Sequence, residues 1–174
     1  MDNLDEAVAR VRSGDTAAFQ QIVDGTSARL VRLAARMVGN VVDAEDVVQE
    51  AYVKAYRALS TGEFDGRANV STWLYRIVTN QAIDAMRGRA RRPKATDTAD
   101  ETMSDLASAE QKLALAELSD WMSDLPPDQR AALVLKAVEG RTSPEIAEVL
   151  QCSEGAVEQR LVRARAALRK RSEA

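Results

Sequence analysis

Apolar residues recur every three or four positions through most of this chain, and no segment alternates apolar and polar residues as a strand would. Ile22, Leu30, Leu33 and Met37 illustrate the spacing. A period near 3.6 buries one face of a helix, whereas a half-buried strand requires a period of two. We therefore expect an all-α fold, with helices in residues 15–25, 27–38, 43–59, 71–92, from 112 to 140 with a pause near 126, 143–150 and 154–171.

The residue types that the chain lacks exclude several classes of function. It has no histidine and one cysteine, Cys152. Ser-His-Asp and Cys-His catalytic systems, histidine-ligated zinc and an internal disulfide are therefore ruled out. No apolar run reaches about eighteen residues and no charged-then-apolar leader is present, so neither membrane insertion nor secretion is expected. We predict a cytoplasmic protein that is not an enzyme and uses neither cofactor nor metal.

Charge and composition divide the chain into three parts. The net charge is only −3, but residues 96–127 hold one basic group against eight acids, whereas residues 160–171 hold six basic groups and no acid. Residues 76–94 form a second basic stripe, and two such stripes suggest two contacts with a polyanion. After Pro93 the sequence turns to Thr, Ser, Ala and acid with little to bury. The prediction is two small helical domains, 1–92 and 112–174, joined by a flexible acidic linker over 93–111.

The C-terminal basic stripe lies in a pair of short predicted helices. Thr142 and Glu145 match a capping box, and Ser153 is a good N-cap for the second helix. That helix would bury Val157 and Leu161 and leave its arginines outside. The pattern predicts a helix-turn-helix whose second helix enters the major groove of DNA. The alternative is an ordinary helical hairpin with a solvated basic face, but the tight turn favours DNA binding.

The other basic stripe follows a loop with an isolated aromatic residue, Phe64. Trp73 is more readily explained as core, and Phe64 is equally consistent with folding back onto the core or with exposure. If both rings are exposed, they would form with Arg76 and Asn80 a platform for unstacked bases, since aromatic stacking and arginine contacts hold single strands.

Acidic residues gather at the start of the third predicted helix, at Asp43, Glu45 and Asp46. Carboxylates there favour the positive end of the helix dipole, which explains them without a partner. The dipole does not explain why Tyr52 and Val53 extend apolar surface beyond one face. That extension suits a protein partner with basic groups.

Three blocks, in this order, resemble a bacterial RNA polymerase sigma factor of the extracytoplasmic-function group of the sigma-70 family. The blocks are DAEDVVQEAYVKAYRAL, FDGRANVSTWLYRIVTNQAIDAMRGRARR and LPPDQRAALVLKAVEGRTSPEIAEVLQCSEGAVEQRLVRARAALRK. They span most of residues 43–170. The resemblance implies a promoter-specificity subunit that binds core RNA polymerase, recognises two promoter elements and helps to melt DNA.

The resemblance also implies which residues meet each partner. The acidic helix would dock on the largest polymerase subunit, with the second-largest subunit also in contact, through Asp43, Asp46, Val47, Gln49, Glu50 and Val53. The loop and basic helix would hold a flipped base and the melted minus-ten element through Phe64, Asp65, Arg67, Asn69, Ser71, Trp73, Arg76, Asn80, Arg87, Arg89, Arg91 and Arg92. The helix-turn-helix would read the minus-thirty-five element through Arg141, Ser153, Glu154, Gly155, Glu158, Gln159, Arg160 and Arg163. The linker would pass toward the active-site cleft and the RNA exit path.

The chain departs from the family pattern at a few positions. Glu158 stands where many relatives carry lysine and Val162 where histidine is common, so phosphate contacts would be fewer and base preference different. Gln151 replaces a frequent turn glycine, which matters little if the turn avoids positive φ. We expect control by a separate anti-sigma factor, which could also hold the protein at the inner membrane. Until release, the two lobes are expected to pack together or to be masked by that partner.

Two other functions fit the residues less completely. A stand-alone helix-turn-helix regulator would bind DNA without polymerase, but leaves the acidic third helix unexplained. A helical adaptor that binds only protein would need none of the arginines, so neutralising Arg160 and Arg163 would not affect it.

Overall fold

The computed structural model describes residues 3–90, 118 and 120–173, and no β-strand occurs in that part of the chain. A short helical stretch at residues 120–123 precedes the C-terminal helices. The main helices, numbered here in chain order, are α1 (Asn3–Arg12), α2 (Ala18–Val38), α3 (Val41–Thr61), α4 (Val70–Ala90), α5 (Pro127–Ala137), α6 (Ser143–Leu150) and α7 (Glu154–Ser172). The all-α prediction is confirmed.

The first two predicted helices form one continuous helix, α2, and the unpredicted α1 precedes it. The sequence predicted a break near Gly25 and Thr26, but the helix continues through both. The Thr26 hydroxyl donates to the Ile22 carbonyl at 2.6 Å, so this polar side chain is satisfied by its own helix. Gly25 permits close packing, because a Cβ at this position would lie 3.2 Å from Leu4 Cδ2 of α1.

The N-terminal lobe consists of α1–α4 around an aliphatic core. α2 packs against α3 and α4, and α1 lies against α2. Each large buried side chain contributes about 1.5–3 kcal/mol by leaving water. Among the most buried are Ile22, Leu33, Met37, Leu59 and Leu74. This lobe therefore provides a rigid support for the surfaces of α3 and α4.

The C-terminal lobe contains α5, α6 and α7, with Leu135, Ile146 and Leu161 at its centre. The predicted helix-turn-helix is present as α6, a three-residue turn and α7. Gln151 in this turn has φ 50° and ψ 49°, a left-handed conformation. The turn therefore does not avoid positive φ, and a non-glycine residue there costs about 1–2 kcal/mol.

The two lobes pack against each other. α4 contacts α5 and α6, and α2 contacts α5. Arg130 of α5, only 8% exposed, donates from Nη1 to the Met37 carbonyl of α2 at 2.8 Å. The predicted boundaries at 92 and 112 and the linker between them lie outside the described residues and stay predictions. None of the described helices is both long enough and apolar enough to cross a membrane.

Candidate nucleic-acid and partner-binding surfaces

Helix α7 buries one face in the C-terminal lobe and exposes the other to solvent. Val157, Leu161 and Ala164 are at most 1% exposed and face α5 and α6. Ser153 begins the helix by accepting a hydrogen bond from the Ala156 N–H at 3.2 Å. The exposed residues among those predicted to meet the minus-thirty-five element are Ser153, Glu154, Gly155, Glu158, Gln159 and Arg163.

Two residues of this predicted DNA surface also bind within the helix-turn-helix. Arg160 is partly buried and donates from Nη1 to the Cys152 sulfur at 3.2 Å. The Glu158 carboxylate accepts from the Ser143 hydroxyl. Cys152 thus links the turn to α7, while Arg163 remains exposed without an ion pair to any described residue. Of these side chains, Arg163 is the freest to meet a phosphate or a base.

Glu145 completes the capping box that begins α6. Its carboxylate accepts from the Thr142 N–H and hydroxyl, both at 2.8 Å, and from Arg141 at 3.0 Å. These hydrogen bonds, led by the backbone N–H, lower the pKa of Glu145 to about 2. The carboxylate is therefore ionised at neutral pH and completes the capping box at the start of α6.

The loop between α3 and α4 is anchored by two buried rings. Phe64 is 6% exposed and Trp73 7%, and their ring centroids are 4.4 Å apart. Arg12 of α1 donates to the Phe64 carbonyl and lies 5.6 Å from the ring centroid. The hypothesis of an exposed aromatic platform is wrong for this arrangement. The rings instead form the floor of the loop.

The polar residues of the loop lie above this floor and are exposed. The Arg67 guanidinium pairs with Asp65 at 3.2 Å, and their side chains are 89% and 59% exposed. Asn69 accepts from the Ser71 N–H at 2.7 Å, which fixes the entry into α4. Asp65, Arg67 and Asn69 are thus brought together in the loop, and Ser71 adjoins them in the first turn of α4; all four are predicted to meet the minus-ten element.

Two of the predicted DNA-contacting arginines of α4 form ion pairs within the protein. Arg87 pairs with Asp128 of α5 at 2.9 Å, and Arg89 pairs with Asp43 and donates to the Val38 carbonyl at 3.3 Å. Sequence reasoning found these arginines but not their internal partners. Arg91 and Arg92 lie outside the described residues.

The remaining minus-ten residues of α4 are near the other lobe. Arg76 and Asn80 are partly exposed. Arg76 lines a small cleft with Trp73, and Glu148 and Val149 of α6 form its other side. The minus-ten surface of α4 is therefore only partly open.

The acidic side of α3 is largely exposed. Asp46, Gln49 and Glu50 face solvent, and Val53 is 48% exposed. Val47 is 4% exposed and belongs to the core, so it has almost no surface with which to meet a partner. Its inclusion among the partner-binding residues is not supported by its position.

A mostly apolar groove lies beside these acids, between α2 and α3. Its volume is about 630 Å³, and the lining side chains are Phe19, Val31, Glu45, Val48, Gln49, Tyr52, Val53, Tyr56 and Arg57. The Tyr52 and Thr26 hydroxyls share a hydrogen bond at 2.6 Å, and burial raises the pKa of Tyr52. The sequence indicated the apolar spread at Tyr52 and Val53. It carried no signal that Phe19 and Val31 of α2 would complete a groove.

Family models match both lobes. The Sigma-70 region 2 model matches residues 22–92, and the Sigma-70, region 4 model matches residues 115–168. The RNA polymerase sigma-H factor of Pseudomonas aeruginosa is 37% identical, over 95% of this chain and 91% of that protein. The ECF RNA polymerase sigma factor SigW of Bacillus subtilis is 36% identical, over 96% of this chain and 95% of that protein.

Solved structures agree with these matches. CnrH, in complex with the cytosolic domain of CnrY, has a TM-score of 0.66 and 30% identity, covering 99% of this chain and 97% of that chain. The sigma factor RpoE in complex with the anti-sigma factor NepR from Bartonella quintana has a TM-score of 0.60 and 25% identity, covering 87% and 94%.

The matched regions correspond to the surfaces described above. Region 2 contains α3, the loop and α4, and region 4 contains α5, α6 and most of α7. Sigma factors are non-enzymatic subunits of RNA polymerase, and the described residues contain no group of three or more side chains that could hold a metal ion. With two region models and near full-length relatives in agreement, the chain belongs to the extracytoplasmic-function sigma factors of the sigma-70 family.

Proposed function

We propose that this sigma factor directs core RNA polymerase to its promoters through three surfaces. The side of α3 binds polymerase, the loop and α4 bind the melted minus-ten element, and α7 reads the minus-thirty-five element. The observation that carries the proposal is the pairing of exposed acids on α3 with an adjacent apolar groove. A regulator that acts on DNA alone has no use for such a surface.

The polymerase surface combines apolar burial with charge. Asp46, Gln49 and Glu50 are exposed along α3, and Val53 leads from them into the groove. A helical partner with an apolar ridge and flanking arginines would fill the groove and neutralise the acids. We assign this surface to the clamp helices of the largest subunit, with further contacts to the second-largest subunit.

The minus-ten surface would hold an unstacked base without covalent chemistry. The exposed groups of Asp65, Arg67 and Asn69 offer hydrogen bonds above the floor formed by Phe64 and Trp73. Extruding a base costs a few kcal/mol, and hydrogen bonds and contacts in the loop offset this cost. Ser71, Arg76 and Asn80 extend the surface along α4.

The minus-thirty-five surface is the outward face of α7. A helix of this kind reads base edges in the major groove while arginines contact phosphate. Arg163 is exposed and free for either role, and Gln159 has the amide groups that pair with adenine. Glu158 could accept from the amino group of cytosine, in keeping with its departure from the usual lysine.

An anti-sigma factor is the proposed regulator. The support is that RpoE is recorded with the anti-sigma factor NepR and CnrH with the cytosolic domain of CnrY. A cytosolic domain of that kind on a membrane-bound partner would hold this protein in the cytoplasm at the inner membrane.

Transcription by purified core RNA polymerase from a genomic promoter library tests the whole proposal. The protein should produce new transcripts whose promoters share two upstream elements, and Asp46→Arg should abolish them. Glu6→Arg is the matched control, because Glu6 is an exposed acid on α1, away from the groove. Absence of stimulation by the folded wild-type protein, or equal loss in both variants, would overturn the proposal.

A further inference from the structure

The contact between the lobes covers part of the minus-ten side of the N-terminal lobe, on α4. α6 lies against α4, and Val149, which is 3% exposed, faces the cleft that contains Trp73 and Arg76. Arg87 is neutralised by Asp128 of α5 in the same interface. The packed C-terminal lobe therefore restricts the access of a single strand to Trp73 and to the side of Arg76 that lines the cleft.

One carboxylate of the C-terminal lobe ties two helices of the N-terminal lobe. Glu139, whose side chain is 11% exposed, accepts from the Tyr75 hydroxyl of α4 at 2.5 Å and from Arg36 of α2 at 2.6 Å. Two guanidinium groups lie near the Tyr75 ring centroid, that of Arg29 of its own lobe at 4.8 Å and that of Arg141 of the other lobe at 5.0 Å. Burial raises the pKa of Tyr75, so its hydroxyl keeps the proton that it donates.

Helix α7, which would read the minus-thirty-five element, makes no extensive contact with the N-terminal lobe. Among the described helices, α7 packs extensively only on α5 and α6 of its own lobe. Arg163 and Arg165 are both exposed. The lobe contact thus covers part of one DNA surface and leaves the other accessible.

We propose that the lobe contact is selectively autoinhibitory and that Glu139 acts as a latch, holding the lobes together through its bonds to Arg36 and Tyr75. The closed protein covers the part of the minus-ten surface on α4 around Trp73 and keeps its minus-thirty-five helix open. The inference rests on the proposed function for the identity of the hidden surface. If binding requires an open form, the apparent affinity for a single strand falls in proportion to the open fraction. Glu139 makes charge-assisted hydrogen bonds, so its loss should raise that affinity about tenfold.

Opening can be measured without DNA, because Trp73 is itself the reporter. In a Trp121→Phe background, Trp73 is the sole tryptophan. Acrylamide quenching of its fluorescence should rise in Glu139→Ala and in Arg36→Gln, which breaks the same ion pair from the N-terminal lobe. Glu6→Ala, which removes an exposed acid on α1, should leave quenching unchanged. Arg36 is 44% exposed, so its variant keeps the test decisive if Glu139→Ala does not fold.

Fluorescence anisotropy with labelled DNA of mixed sequence tests the selectivity. Glu139→Ala should bind the single strand about tenfold more tightly than wild type, while its affinity for the duplex stays the same. Arg36→Gln should also bind the single strand more tightly although it loses a positive charge, an effect that general electrostatics cannot produce.

Two results would overturn the proposal. Equal quenching in wild type and both latch variants would mean that Glu139 does not hold the lobes together. Opening without tighter single-strand binding would mean that the hidden surface is not a DNA surface. The transcription experiment decides the proposed function separately, because it measures promoter use by polymerase and not the closed state.

Discussion

Two substitutions of Arg130 separate the contribution of its buried charge to stability from the contribution of its buried apolar stem at the lobe contact. Arg130 makes one hydrogen bond across the interface, to the Met37 carbonyl, and its Nε is buried without a partner among the described residues. Burial lowers the pKa of the guanidinium, although it stays protonated at neutral pH. Arg130→Ala and Arg130→Met both remove the charge, but methionine keeps most of the apolar stem.

The expected magnitudes follow from three contributions. Both variants lose one charged hydrogen bond, about 2 kcal/mol, and both remove the penalty of a half-satisfied buried charge, on the order of 2 kcal/mol. Alanine also loses the burial of two methylene groups, Cγ and Cδ, which is worth about 1.6 kcal/mol. The free energy of unfolding should therefore fall by about 2 kcal/mol in Arg130→Ala and change by less than about 1 kcal/mol in Arg130→Met.

Urea unfolding followed by circular dichroism at neutral pH measures both values. Arg32, an exposed arginine on α2, supplies the control, because its alanine and methionine variants should each lie within about 0.5 kcal/mol of wild type. If Arg130→Met is as destabilised as Arg130→Ala, the buried guanidinium is net stabilising and the reasoning above is refuted.

Three further predictions concern the helix-turn-helix. The pKa of Glu145 is about 2 in the folded protein, compared with an ordinary value of 4.5, so its contribution to stability is present above about pH 4.5 and is lost as the pH falls toward 2. Glu145→Gln should flatten this acid dependence of the helix content measured by circular dichroism. An unchanged curve would contradict the assignment. Leu161→Ala should lower the free energy of unfolding by about 2–5 kcal/mol, because Leu161 is 1% exposed. Val162→Ala should change it by less than about 0.5 kcal/mol, because Val162 is 62% exposed. Similar values for the two variants in urea titrations would mean that α7 does not bury the face that carries Leu161. Arg163→Gln should leave Tm unchanged and weaken duplex binding, with the salt slope reduced by about one; an unchanged slope would remove Arg163 from the phosphate contacts.

Local signals predicted the helices and their beginnings well. Thr142 and Ser153 cap α6 and α7 as predicted, because a cap depends on residues within one turn. The predicted break near Gly25 was wrong for a long-range reason. This glycine accommodates α1, and neither its packing against Leu4 nor α1 itself was predicted.

The candidate surfaces were harder to predict, because exposure depends on which elements meet. Trp73 and Phe64 have aromatic rings of the kind that stacks on bases, but the two rings pack against each other. Arg12, 52 residues before Phe64, fixes the loop by donating to the Phe64 carbonyl. Periodicity placed Val47 on the helix but did not reveal that its face is buried. The assignment of individual residues to polymerase or DNA contacts stays a prediction.

The hydrogen bond from Arg12 to the Phe64 carbonyl makes α1 part of the structural unit that holds the minus-ten loop. The family model recognises residues 22–92, and α1 lies before that range. A fragment cut to the recognised range would retain every residue of the minus-ten loop and lose the side chain that holds its backbone. The unit that sequence similarity identifies is therefore smaller than the unit that shapes the loop.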